Sequence, residues 1–390
     1  PSFSNGVTYD AATGKITVPA GVTSFAVTVP TTDDTTKEST ETVPVTIGGV
    51  SAVGSILDND ATPTIKTVEP GQPGTGDDSV TEGQSAVFNV TLSNGSDTPT
   101  TFEFKLGGGT AGTDDYSAPT FSNGVTYDPV TGTITVPAGV TSFAVTVPTV
   151  DDTTKESTET LPVSIGGVTA TASIVDNDAG PTIKTIEPGL LPGAADDQTV
   201  EGLPLVFGVT LSNASDTPST FAFQLGGGTA TAGADFGSPS FTNGVTYDPA
   251  TGQITVPAGV TSFTVSVPTV DDTTKESTET VPLTIGGVTA VGGILDNDLT
   301  PTIKTVEPGQ PGLADDSVTE GTSLVFNVSL SNGSDTPTSF DFKLGVGGTA
   351  TAGSDYGNPS FSNGVTYDAA TGKITVPAGV TSFAVTVPTT

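Results

Sequence analysis

The stretch Ser85-Ala86-Val87-Phe88-Asn89-Val90-Thr91-Leu92 sets Ala86, Phe88, Val90 and Leu92 at alternate positions. That two-residue period is what a strand with one buried face requires. The pattern returns on the C-terminal side at Phe102, Phe104 and Leu106, at Phe143, Val145 and Val147, and at Leu161, Val163 and Ile165. Turn chemistry separates the runs: Ser93-Asn94-Gly95-Ser96, Gly107-Gly108-Gly109, Pro137-Ala138-Gly139 and Gly166-Gly167. No segment carries a helical period, so the fold class is all-β, an antiparallel sandwich of two sheets with Thr, Ser and Asn outward.

Seven strands are predicted: Thr64 to Val68 continuing at Ser79 to Thr81, Ser85 to Leu92, Thr101 to Leu106, Gly132 to Val136, Thr141 to Val147, Thr160 to Ile165, and Ala170 to Val175. Pro148 and Pro162 suit strand ends or edges. The segment Pro119 to Pro129, with Asn123-Gly124 as its tight turn, is predicted to add a hairpin. Gly107-Gly108-Gly109 has no following lysine and fails as a phosphate loop, which leaves a loop that lets the chain pass an ion-binding pole.

The sandwich repeats. Asp-Asn-Asp falls at Asp58-Asn59-Asp60, Asp176-Asn177-Asp178 and Asp296-Asn297-Asp298, steps of 118 and 120 residues. A block of that size buries a core of its own instead of stacking as one coil of a solenoid. The expected division is 1–62 as the C-terminal part of a repeat, 63–180 and 181–300 as complete repeats, and 301–390 as the N-terminal part of another. Pro1 to Thr32 returns without a difference as Pro359 to Thr390, and the chain has no Met. These features predict a window on a longer array. The segment Pro301 to Thr390, without its last two strands, is expected to fold poorly unless a neighbouring chain completes it. Junctions as short as Ala179-Gly180-Pro181 limit swing between repeats.

Forty-three acidic residues face ten lysines, for a net charge of −33, and Arg, His, Cys and Trp are missing. Such a chain repels nucleic acid and anionic membrane surfaces and lacks the bidentate phosphate clamp of arginine. No run approaches the roughly 20 apolar residues of a membrane span. Without thiolates or imidazoles the available ligands are oxygens, which suit hard cations such as calcium.

Alternating strand direction gathers the acids at one pole. In the first complete block these are Glu82, Asp114, Asp115, Asp151, Asp152, Glu156, Glu159, Asp176 and Asp178; in the second they are Glu201, Asp235, Asp271, Asp272, Glu276, Glu279, Asp296 and Asp298. Any one acidic run alone reads as a solvated turn. The convergent set costs repulsion that only Lys155 is placed to relieve, and bound Ca2+ is the natural compensation. Asp97 or Asp216, from the opposite pole of the next repeat, is placed to contribute. Catalysis needs a polarised nucleophile or a tuned acid pair, whereas the same acids recurring block after block suit a structural part, so no enzyme is expected.

Val80-Thr81-Glu82-Gly83, the stretch from Gly109-Thr110-Ala111 to Asp115-Tyr116, Gly132 to Gly139, Asp151-Asp152 with Glu156 and Glu159, and the closing Asp176-Asn177-Asp178 together resemble the Calx-beta domain. The resemblance implies an immunoglobulin-like sandwich that binds several calcium ions at one pole through carboxylates at these positions. The Phe121 to Asp128 insertion departs from the plain family pattern. Tandem, acidic, Cys-free arrays of this kind are similar to the extender regions of large RTX-type bacterial adhesins. That similarity implies an elongated, calcium-stiffened spacer outside the cell, anchored at a bacterial surface and projecting a distal ligand-binding domain carried elsewhere in the full protein. Its immediate partners are neighbouring repeats of the same chain. The rival reading is a binding array whose Thr and Asn faces grip polysaccharide, ice or other cells by avidity.

Overall fold

Strands are the only regular elements in the computed structural model, which describes residues 1–72, 74, 76–189, 196–310, 313 and 316–390. The chain divides into two units, Pro1–Asp178 and Ala179–Thr390.

In the first unit the stretch read above becomes the strand Ser85–Leu92, with the bounds its alternation predicts. It lies inside a four-stranded sheet ordered Thr120–Phe121, Ser142–Pro148, Ser85–Leu92, Ile65–Pro70. The facing sheet has six strands, ordered Thr126–Asp128, Thr133–Val136, Thr100–Leu106, Glu159–Ile165, Val168–Val175, Ser79–Thr81. Phe88 and Val145 from the first sheet meet Ile134, Leu161 and Ile165 from the second, all but sealed from solvent. Each such side chain contributes roughly 1.5–3 kcal/mol of transfer free energy, so this interleaved face is what joins the sheets. Tyr127 packs edge-on against Phe104 with ring centroids 5.1 Å apart, which makes it part of that packing and not a free platform for a sugar.

The sheets depart from the sequence reading at three places. The predicted first strand is two elements in different sheets: Ile65–Pro70 pairs antiparallel with Ser85–Leu92, and Ser79–Thr81 pairs parallel with Val168–Val175. The chain crosses over at Gly71, whose φ of 66° and crowding by the Asp77 carboxylate admit no side chain. The strands flanking Asn123-Gly124 do not pair with each other. Thr120–Phe121 joins Ser142–Pro148 while Thr126–Asp128 joins Thr133–Val136, so the turn, with φ of 55° and 72°, bridges the two layers instead of closing a hairpin. Pro162, expected at an end or edge, lies within Glu159–Ile165, which has a neighbour on each side. Pairing with Thr100–Leu106 reaches only to Leu106 opposite Val163. Beyond it the neighbour is the glycine run, where Gly107 N–H donates to Pro162 O at 3.0 Å, and the missing N–H of proline is not needed.

The second unit repeats the plan, including Gln198–Val200 parallel to Val288–Leu295 and a core centred on Phe207, Ile254 and Leu283. It continues into a four-stranded sheet ordered Ile303–Pro308, Ser323–Leu330, Ser382–Pro388, Ser360–Phe361, faced by three strands, Thr338–Asp341, Lys373–Val376 and Thr366–Asp368. There Val306 is 60% exposed, against 8% for its counterpart Val68. The first unit opens with strand pairs, of which Glu41–Ile47 with Val50–Ile56 is the longest.

Candidate metal centre

The Asp-Asn-Asp motif stands at the end of Val168–Val175, and its middle residue organises the acids around it. Asn177 N–H donates to Glu82 Oε1 at 3.0 Å, and its amide Nδ2 donates to Asp151 Oδ1 at 3.0 Å. Asp178 N–H turns back to Asp176 Oδ1 at 3.3 Å. Gly83 completes the arrangement: a Cβ there would lie 2.8 Å from Cβ of Asp151, so only glycine lets the Glu82 turn and the Asp151 segment close on each other. The second repeat has the same geometry. Asn297 donates to Glu201 Oε1 and Asp271 Oδ1, each at 3.0 Å, and Asp298 N–H to Asp296 Oδ1.

Two carboxylate groups form at this end of each sandwich. Glu82, Asp176 and Asp178 make one, with oxygens within 4.8 Å of one another; Asp115, Glu156 and Glu159 make the other. In the second repeat the groups are Glu201, Asp272 and Asp298, and Asp235, Glu276 and Glu279. Four of the remaining sequence-predicted acids have other partners. Asp151 and Asp271 accept from the asparagines, Asp152 Oδ1 closes its own turn with Thr154 N–H, and Asp296 is ion-paired with Lys275. Lys155 makes the equivalent pair with Asp176, and Lys37 with Asp58.

The electrostatics are those of an unbalanced anion cluster. Glu159 is pushed up to about 7, by burial first, then by a hydrogen bond and charge from Asp115 and by the charges of Glu156 and Asp114. Glu279 is pushed up to about 7 as well, by burial and by Asp235 and Glu276. Glu276 is raised by burial and then by Asp272, Asp235, Glu201 and Asp335. Since Asp235 belongs to one group and Glu201 to the other, the two adjoin. Glu159 Oε2, Asp178 Oδ2, Glu279 Oε2 and Asp298 Oδ2 are buried with no hydrogen-bond donor. A buried carboxylate oxygen without a donor is costly, and a cation is the partner these oxygens fit. The donor set is oxygen only and rich in carboxylate, which matches a hard divalent ion.

Within each unit a repeat meets the corresponding end of the one before it. In the first, Ser39 N–H donates to Asp97 Oδ2 at 2.8 Å; in the second, Ser277 N–H donates to Asp335 Oδ2 at 3.0 Å. Sequence reasoning singled out Asp97 but passed over Asn177 and Asn297, whose backbone partners lie 95 and 96 residues away and whose side-chain partners lie 26 away, so neither leaves a local signal.

Residues 2–69, 80–186 and 205–307 match the model of the Calx-beta domain family. The chain belongs to the Calx-beta domain family. Similar solved structures include the crystal structure of CBD12 from CALX1.2, 12% identical, TM-score 0.23, covering 57% of this chain and 79% of that one. Domains 5-6 of the S-layer protein SbsC are 15% identical, with TM-score 0.18, covering 60% of this chain and 100% of theirs. A three-domain immunoglobulin segment of titin is 10% identical, with TM-score 0.24, covering 84% and 88%. A search of curated proteins gives no match. The turn bridging the two sheets at Asn123-Gly124 is thus built into a Calx-beta repeat, and recurs at Asn243-Gly244 with φ of 55° and 72°.

Proposed function

We propose that these Calx-beta repeats form a calcium-stiffened extender of a secreted, surface-anchored bacterial adhesin, a spacer that holds a distal ligand-binding domain away from the cell. The observation that carries this reading is the pair of carboxylate groups at one end of each complete sandwich, with buried oxygens that lack donors; in the second unit that is the end where the following repeat docks. Ca2+ is the cofactor that suits them. Glu82, Asp115, Glu156, Glu159, Asp176 and Asp178 hold it in one repeat, and Glu201, Asp235, Asp272, Glu276, Glu279 and Asp298 in the next. Asp151 and Asp271 are held close by, and Asp152 and Asp296 complete the acidic surroundings. At free calcium ten times the dissociation constant each site adds about 1.4 kcal/mol to the bound form, so several sites per repeat separate a stiff joint from a loose one. The recurrence of one acid set supports a mechanical part over an enzyme, and the charge keeps neighbouring chains apart. An extracellular place, where calcium is plentiful and the lack of Cys is no handicap, belongs to the same proposal.

The test is small-angle scattering of the full chain with calcium and with chelator, beside calorimetric titration of the ion. A maximum dimension that is sharply defined in calcium and broadens in chelator supports the spacer. A chain that takes up no calcium, or whose profile ignores it, would return the acidic poles to solvated charge and favour a binding role for the Thr-rich faces.

A further inference from the structure

We propose that Lys275 is a resident cation of the acidic pole: in the ion-free chain its ammonium holds the joint to the following repeat, and a bound divalent cation takes over that task, while Lys37 holds the corresponding joint of the first unit by its ammonium alone. This rests on the calcium reading above and assigns the lysine a positioning role within it.

Each of these lysines faces two ways. The side chain of Lys275 turns back into its own repeat, ion-paired with Asp296, whose carboxylate is only 4% exposed, and donating to Glu276 O at 2.9 Å. Its backbone turns forward. Lys275 N–H donates to Gly333 O and accepts from Asp335 N–H through its own carbonyl, both at 3.0 Å, forming a parallel bridge opposite Ser334. Two residues on, Ser277 N–H holds the Asp335 carboxylate. One residue thus joins the anion cluster of its own repeat to the first turn of the next.

Lys37 does the same in the first unit. It is ion-paired with Asp58 and donates to Glu38 O at 3.1 Å. Its backbone N–H donates to Gly95 O at 3.0 Å, and its carbonyl accepts from Asp97 N–H at 2.9 Å. The linkers that follow differ, Ala61-Thr62-Pro63 against Leu299-Thr300-Pro301, yet the bridge is the same, so it belongs to the lysine segment and the turn it meets.

The charge balance gives the lysine its purpose. Two carboxylate groups stand at this end, Glu201, Asp272 and Asp298, and Asp235, Glu276 and Glu279, and the ammonium is paired with the nearly buried Asp296. With the ammonium removed, the segment that carries the bridge would hold uncompensated, partly buried anions, an arrangement that is costly until another cation arrives. A divalent ion among Glu201, Asp272 and Asp298 supplies positive charge at the same end of the sandwich.

The experiment compares the full chain with its K37M/K275M variant, in which methionine keeps the length of the stem and removes the charge. Amide hydrogen exchange is read at Ser39, Asp97, Ser277 and Asp335, in chelator and in calcium chloride. In chelator the variant is expected to exchange about tenfold faster at these amides, while the Leu205–Leu211 strand stays protected as evidence of an intact fold. In calcium the two proteins are expected to match at Ser277 and Asp335, beside the carboxylate groups of that repeat, while Ser39 and Asp97 stay fast in the variant. Equal exchange in chelator, or a loosening at Ser277 and Asp335 that calcium does not repair, overturns the proposal. A wild-type chain indifferent to calcium overturns the calcium reading and the hand-over with it, and the chelator comparison then still decides whether the ammonium holds the joint.

Discussion

Glu159 and Glu279 carry the clearest consequence of crowding. Both stand near 7 in the folded chain against an ordinary 4.5. Between those values the unfolded chain has lost protons that the folded chain retains, and ionising the folded site opposes burial and its anionic neighbours. Ion-free stability therefore falls as pH rises from about 4.5 to about 7 and is level above. Melting in chelator is expected to be lower at about pH 8 than at about pH 5. Calcium competes with those protons, so its affinity rises over the same window, and titrations in buffers of different ionisation enthalpy should register proton release. Asn177 offers a second test. Replacing it with alanine removes the amide that fixes Asp151 but keeps the backbone donor to Glu82. By the usual weight of an outer-sphere partner, calcium affinity should drop roughly 10–100-fold, measured by calorimetry, with the ion-free melting point shifted little. That acids gather at one pole was legible, because alternating strand direction puts their loops at the same end. The asparagine was not, since Asp-Asn-Asp has the same composition in an ordinary turn.

At the scale of elements, alternation was enough to place the long strands, because a period of two leaves a buried side chain no other face. The short pieces escaped it. A tight turn such as Asn123-Gly124 has the same residues whether its flanking strands pair together or part to different sheets, and the outcome is set by partners outside the turn, Val145 for Phe121 and Ile134 for Tyr127. Pro162 was misplaced because its tolerance depends on the glycine run opposite. That dependence is measurable: a Cβ on Gly109 would lie 2.1 Å from Thr160 O and 2.7 Å from Pro162 Cδ. Gly109→Ala must push the loop off the strand and should cost about 1–3 kcal/mol in chemical denaturation. Truncation of the wholly buried Ile134 to alanine should cost about 2–5 kcal/mol by the same assay. If Gly109→Ala proved neutral, the close passage of the loop over Pro162 would be wrong.

For the whole molecule, 43 acids against ten lysines mean that the ion-free chain works against its own charge. Adding monovalent salt in chelator should raise its melting point by screening, and the effect should shrink once calcium is bound; an increment unchanged by calcium would show the poles still unneutralised. The repeat structure was legible because Asp-Asn-Asp marks the same phase three times. Asp97 at the junction was legible too; the lysine bridge beside it was not, because it is made by backbone groups that any residue possesses. One further property follows from the short strand Ser79–Thr81 lying parallel to Val168–Val175, with Glu82 N–H bonded to Val175 O and Ser173 N–H to Asp78 O. A tug on the two ends of the sandwich drags these strands past each other and loads their hydrogen bonds together instead of peeling them one by one. Glu82 and Asp176 stand at the end of that same pair, so an ion gripped between them would act as a rivet in the load path, and a flow that pulls on the chain would be met first by the metal.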